Sequence, residues 1–186
     1  MDASAGPPPC LIVPGLGGSG PDHWQTRWET CLPHVARVVQ RDWDRPDRDA
    51  WIEALVRAVR EAPAPVVLVA HSLGCAVVAH AAARDPGIPV RAALLVAPAD
   101  VDSPAHAPEE IRCFAPLPRA LLPFPATVLA SRDDPYVTLD RAREFARDWG
   151  ARFVDLGTCG HINAASGLGD WPEGRRYLAE LLAPAR

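Results

Sequence analysis

Lysine is absent from this chain, and all 19 of its basic residues are arginines. Neither a lysine Schiff base nor a phosphate-loop lysine is therefore available. Positive charge is not in excess, because 23 acidic residues leave a formal net charge of −4. That balance argues against nucleic-acid binding, which needs a basic face. No stretch reaches the roughly 18 unbroken apolar residues of a membrane-crossing helix, so no membrane insertion is expected. The five cysteines (Cys10, Cys31, Cys75, Cys113 and Cys159) are odd in number, widely spaced and free of any C-x-x-C pair. They argue against a disulfide framework or a metal site and suit a reducing compartment. The stretch Met1 to Pro9 lacks the basic and apolar regions of a secretory signal, so the expected location is cytoplasmic.

What remains is a chain with 48% hydrophobic and 23% charged residues, a globular composition. Its 186 residues suit one domain, 1–186, with a substantial core. Proline is over-represented at 21 residues, about twice the usual share. Between prolines, short β-type runs alternate with helical segments. The runs are Cys10–Val13, Val35–Gln40, Pro65–Ala70, Ala92–Val96, Ala126–Ala130 and Arg152–Asp155. Helical patterns cover Asp22–Cys31, with Asp22 as a plausible cap, Asp47–Glu61, Leu73 to about Arg84, Leu139–Trp149 and Trp171–Leu182. Such alternation predicts an α/β fold, a parallel sheet of about six strands between two helical layers. Ligands in such sheets bind beyond the carboxyl ends of the strands.

At the end of the third run stands Ala70-His71-Ser72-Leu73-Gly74, followed directly by a helix. Strand, sharp turn and helix form the context of a nucleophile elbow, with Ala70 where glycine is usual. Small residues at 70 and 74 make room for the strained turn, and the helix N-terminus favours negative charge near Ser72. A serine N-cap is the plainer alternative. Of six histidines, His161 lies in the small-residue loop Gly157–Asn163 after the last strand, at the same sheet edge as Ser72. It is the expected base, with His23 second. His71 is expected to buttress the turn, and His80 to pack or lie at the surface. His34 and His106 sit in loops with no supporting pattern.

The acid must be fixed in place to hold the imidazole in one tautomer. Asp133 and Asp134 follow the strand Ala126–Ala130, and Asp100 follows the strand before it. The order serine, acid, histidine is that of the α/β-hydrolase fold. Two backbone N–H groups should complete the site as an oxyanion hole. Leu73 supplies one, and the loop Pro14–Gly20 the other, from Leu16 first and Gly17 next. Gly15-x-Gly17-x-x-Gly20 also fits a phosphate-binding pattern, but the pattern alone is weak.

These motifs resemble the small single-domain serine hydrolases related to retinoblastoma-binding protein nine and bacterial YdeN. The matching stretches are Pro14-Gly15-x-Gly17-Gly18, His23-Trp24-x-x-x-Trp28-Glu29, His71-Ser72-Leu73-Gly74 and Leu122-Pro123-Phe124-Pro125. Ser131-Arg132-Asp133-Asp134-Pro135-Tyr136, Gly160-His161-Ile162-Asn163 and Ser166-Gly167-Leu168-Gly169-x-Trp171-Pro172 complete the match. The resemblance implies an intracellular Ser–His–Asp hydrolase without a metal or organic cofactor. It favours Asp134 over Asp133, because related hydrolases show the Asp-Pro-x-Val arrangement. It does not extend the vertebrate protein's partner binding to this chain, which has no acidic-flanked L-x-C-x-E.

The expectation is a serine hydrolase of small carboxylic esters or related acyl compounds, with Ser72, His161 and Asp134 as its triad. Thioester hydrolysis and acyl transfer use the same machinery, and a catalytically idle fold that binds a partner is the rival. Acyl specificity is expected in the segment Pro98–Pro125, through Phe114, Leu117, Leu121, Leu122 and Phe124. The plainer alternative is that these residues only cover the sheet. Cys75 and Cys159 are expected to be buried structural thiols. The chain has no room for a cap domain, and Pro98, Pro104, Pro108, Pro116, Pro118 and Pro123 fall where a cap would be inserted. A shallow, open site should follow.

Overall fold

The computed structural model describes residues 7–183. Most of the stretch tested for a secretory signal, residues 1–6, therefore lies outside the described residues, as do 184–186 at the end of the expected domain. Six strands, all parallel, run β1 (Cys10–Val13), β2 (Val35–Arg37), β3 (Val66–His71), β4 (Val90–Val96), β5 (Ala126–Ala130) and β6 (Arg152–Asp155). Five helices connect or follow them: α1 (Trp24–Cys31), α2 (Arg48–Glu61), α3 (Leu73–Arg84), α4 (Leu139–Asp148) and α5 (Pro172–Leu182). Spatial order is β2-β1-β3-β4-β5-β6, so the chain starts inside the sheet, steps outward, and returns across β1. That reversal opens a crevice between the carboxyl ends of β1 and β3.

Strand alternation sorts the core into two layers. Cys10, Ile12, Val69, Leu94, Val96 and Leu129 face α1 and α5, where Trp24, Trp28 and Trp171 pack together. Leu11, Val13, Leu68, Ala70, Leu95 and Val128 face α2, α3 and α4, against Leu55, Val77 and Phe145. With both faces covered, a central strand can be apolar throughout, and every residue of β3 is buried. The three-layer α/β/α expectation holds.

Most boundaries fall within a residue of the periodicity, but β4 begins two residues early, at Val90, and β2 and α1 also differ. β2 stops at Arg37 rather than Gln40: its last pair is with Ile12, Val38 N–H still donates to the Ile12 carbonyl at 2.9 Å, and Pro14 after β1 has no N–H to extend the ladder. Helix α1 begins one residue later than Asp22 implies: its N-cap is His23, whose ring nitrogen accepts the Gln25 N–H. Between β4 and β5 the chain makes only a 3-10 turn, Glu109–Phe114, with no cap domain.

Candidate active site

Ser72 sits between β3 and α3 with φ 55° and ψ −122°. A non-glycine residue held there is strained, by about 1–3 kcal/mol. Its neighbours hold it. Ser72 N–H donates to the Val96 carbonyl at 3.0 Å, and its own carbonyl accepts the Cys75 N–H at 3.0 Å. Two glycines make the fit possible. A Cβ on Gly74 would lie 2.2 Å from the Val13 carbonyl oxygen, and one on Gly15 would lie 2.8 Å from the Ser72 Cβ. The elbow and the loop after β1 are thus pressed together, and neither position tolerates alanine in this geometry.

The loops after β5 and β6 carry the other two groups to the same edge. Ser72 Oγ lies 2.9 Å from His161 Nε2, and His161 Nδ1 lies 2.9 Å from both carboxylate oxygens of Asp134. The Asp134 carboxylate also accepts the Tyr136 N–H at 2.9 Å, which fixes its orientation. All three expected residues therefore meet in one hydrogen-bonded relay.

The other acids have different duties. Asp133 accepts the Ser131 hydroxyl at 2.6 Å and the Gly160 N–H at 2.8 Å, tying the acid-bearing turn to the loop that carries His161. Those two bonds hold its pKa below the usual carboxylate value. Asp100 is paired with Arg141 at 2.9 Å, and its N–H donates to the Tyr136 carbonyl. Both shape the site from behind rather than touching His161.

His71, expected to buttress the turn, reaches instead to the loop that carries the base: its Nε2–H donates to the His161 carbonyl at 2.9 Å. The His161 ring lies between His71 (4.8 Å between centroids) and Tyr136 (4.5 Å). Helix α1 braces the rest. Trp24 Nε1–H donates to the Ile162 carbonyl at 2.8 Å, and the buried Gln25 accepts the Ser19 hydroxyl at 2.7 Å while donating to Val69. Arg37 joins the Gly18 carbonyl to Glu29. The His-Trp-Gln…Trp-Glu stretch is thus a frame for the loop after β1 and for the His161 loop.

That loop contains the 3-10 turn Leu16–Gly18. Gly17 N–H is committed to the Trp43 carbonyl at 3.0 Å. The N–H groups of Leu16 and of Leu73, the first residue of α3, have no acceptor among the described residues. An oxyanion hole needs two uncommitted donors, and the bond from Gly17 to Trp43 favours Leu16 over Gly17 as one of them. The glycine pattern is not a phosphate loop: α1 starts beyond it, and its first turn is closed by the His23 ring.

A cavity of about 260 Å³ opens above Ser72. Leu16, Ala99, Pro108, Ile111 and Ala164 supply its apolar wall, and Ser19, His23, Tyr136 and Asn163 its polar groups. None of the five residues expected to select the acyl group lines it. Phe114, Leu117 and Phe124 are buried in the core on the α2–α4 side, with Phe114 against Trp51. Leu122 packs partly on the same core, and Leu121 is 74% exposed. The alternative reading, that these residues cover the sheet, is the one realised for all but Leu121, and the segment reaches the cavity only through Ala99, Pro108 and Ile111. Tyr136 and Asn163 adjoin the acid and base in sequence, and that adjacency was the available signal for them.

Among the described residues, no group of three or more His, Cys, Asp or Glu side chains is placed to hold a metal ion. Likewise, no helix is long and apolar enough to cross a membrane. Of the two cysteines nearest the triad in sequence, Cys75 is fully buried and Cys159 half-buried.

Burial lowers the pKa of His23 to about 4, helped by the nearby His161 and Arg37. Burial likewise drives His71 well below its ordinary value. Both rings are neutral in the folded protein at pH 7, whereas in the unfolded chain they titrate near 6.5. The unfolded state thus binds more protons below pH 6.5, and stability falls as pH drops from there toward 4. For the 4%-exposed His23 the full loss is on the order of 3 kcal/mol. Urea unfolding at pH 7.5 and pH 4.5 should show this as a lower midpoint in acid. An unchanged midpoint would contradict neutral, buried imidazoles.

The family described as serine hydrolase matches residues 10–180. This chain belongs to the serine hydrolase family. A YdeN-like hydrolase from Pectobacterium atrosepticum is 34% identical, with 93% of this chain and 89% of that one covered and a TM-score of 0.83. The ydeN gene product of B. subtilis shares the fold at 16% identity, covering 96% and 100%, with a TM-score of 0.74. So does the type II thioesterase BorB from the borrelidin biosynthetic cluster, at 20% identity, covering 98% and 96%, with a TM-score of 0.65. No curated protein matches. The protein is a small serine hydrolase of the YdeN type, and the expected resemblance to YdeN holds.

Proposed function

We propose that this serine hydrolase cleaves small carboxylic esters through an acyl-enzyme on Ser72. One observation carries the reading: the unbroken relay from Ser72 Oγ through His161 to Asp134, each link 2.9 Å. Asp134 keeps the proton of neutral His161 on Nδ1, so Nε2 faces Ser72 as a base. His161 takes the serine proton as Oγ attacks the acyl carbon. The developing oxyanion is held by Leu16 and Leu73 N–H. His161 then protonates the leaving alcohol, and in the second half it deprotonates the water that releases the acid. No resident cofactor is needed for these steps.

A cavity of about 260 Å³ lies at the small end of ligand sites, which favours short acyl chains. The cysteines, all free thiols, support a reducing, cytoplasmic setting. On a panel of p-nitrophenyl esters, acetate and butyrate should turn over faster than octanoate and palmitate. A panel cleaved fastest at long chains contradicts the size argument. A dead panel with active acyl thioesters shifts the reading to thioesterase, and inactivity on both supports the idle fold.

A further inference from the structure

The relay fixes which way an ester lies above Ser72. Its carbonyl oxygen turns toward the Leu16 and Leu73 N–H groups, and its alcohol oxygen toward His161 Nε2, which protonates it as it leaves. The alcohol part therefore departs over the loops after β5 and β6. Those loops carry Tyr136 and Asn163, and both residues line the cavity. Tyr136 donates its N–H to Asp134, its carbonyl accepts the Asp100 N–H, and its ring lies edge-on to His161. Asn163 donates its N–H to Ser166 Oγ, and its carbonyl and Oδ1 accept the Ser166 and Ala165 N–H groups. Each residue thus has one polar atom to spare, Tyr136 Oη and Asn163 Nδ2. Neither has a partner among the described residues, and neither is sealed from solvent: the buried unpaired side-chain atoms are His23 Nε2, Arg27 Nε and Arg175 Nε. With their other polar groups committed inside the protein, these two atoms supply the polar part of the wall beside His161.

We propose that Tyr136 Oη and Asn163 Nδ2 form an alcohol-side subsite. The hydrolase then prefers esters whose alcohol carries a hydroxyl close to the ester oxygen to plain alkyl esters. A hydroxyl suits the pair, because the amide nitrogen only donates while the phenol donates or accepts. A charged alcohol does not, since no Arg, Asp or Glu lines the cavity to pair with it. Leu16 after β1, with Ala99, Pro108 and Ile111 after β4, leaves an apolar wall for the acyl chain. The proposal rests on the ester-hydrolase reading above and names the alcohol half of its substrate.

The test compares hydroxyethyl butyrate with propyl butyrate, which differ by a hydroxyl in place of a methyl and form the same acyl-enzyme. Only acylation senses the alcohol, so kcat/KM is the readout. Wild type should favour hydroxyethyl butyrate by more than the two esters differ in hydroxide-catalysed hydrolysis. Tyr136→Phe removes Oη alone, and Asn163→Ser removes the amide while keeping a capping oxygen. Each variant should lose about fivefold more kcat/KM on hydroxyethyl butyrate than on propyl butyrate. No wild-type preference, or equal losses on both esters, overturns the proposal and leaves the ester reading standing. Independently of turnover, the Asn163 side-chain amide resonances should move when hydroxyethyl butyrate is added to the Ser72→Ala protein. Resonances that stay fixed also overturn the proposal. If they move but wild type cleaves neither ester, the subsite stands and the ester reading falls.

Discussion

Ser72→Ala should lower kcat by about 10⁶-fold on any ester the wild type cleaves, while leaving stability within about 1 kcal/mol. The activity loss is large because the nucleophile and base act as one unit, and His161 has no proton to take once Oγ is gone. Stability is spared because Oγ makes a single hydrogen bond, to His161, and carries none of the packing around the turn. The bonds that hold the turn run through the Ser72 backbone to Val96 and Cys75, and alanine keeps them. Enzyme kinetics beside thermal unfolding would check both halves. A variant that unfolds early would mean that the serine is a structural cap.

Asp134→Asn should cost about 10⁴-fold in kcat with KM little changed. Asp134 has two clients, His161 Nδ1 and the Tyr136 N–H, both at 2.9 Å. An asparagine would give its oxygen to the Tyr136 N–H, which can only donate, and turn its amide N–H toward His161. That selects the tautomer with the proton on Nε2, so the base arrives at Ser72 already protonated. The same substitution at Asp100, which pairs with Arg141, should leave the tautomer alone. If Asp134→Asn keeps more than a tenth of wild-type kcat, the acid has been misassigned.

Ser72 and His161 were legible because each is marked locally, whereas Asp134 was set apart from Asp133 only by the resemblance. A strand apolar at every position, a sharp turn and a small-residue helix point to Ser72. Asp134 and His161 stand directly after strands that must end at the same edge. The acyl-side residues were not legible, because a proline-rich segment has no period from which to tell an inward from an outward face. Phe114 and Phe124 therefore looked as fit for a cavity as for the core they occupy. Pro108 and Ile111, which do line the cavity, carry no distinguishing pattern. The capping of α1 was misread for a similar reason. Asp22 is the better capping residue by type, but the chain places the His23 ring there and leaves Asp22 exposed. That choice put a buried imidazole against the His71 ring, with 4.7 Å between centroids.

Covalent labelling by a fluorophosphonate probe, with the adduct located by mass spectrometry, tests the central claim most directly. One modification should form, on Ser72, and it should vanish in Ser72→Ala. A probe that leaves the folded wild-type protein unlabelled, or an adduct that persists on the variant, would contradict a Ser72 nucleophile activated by His161.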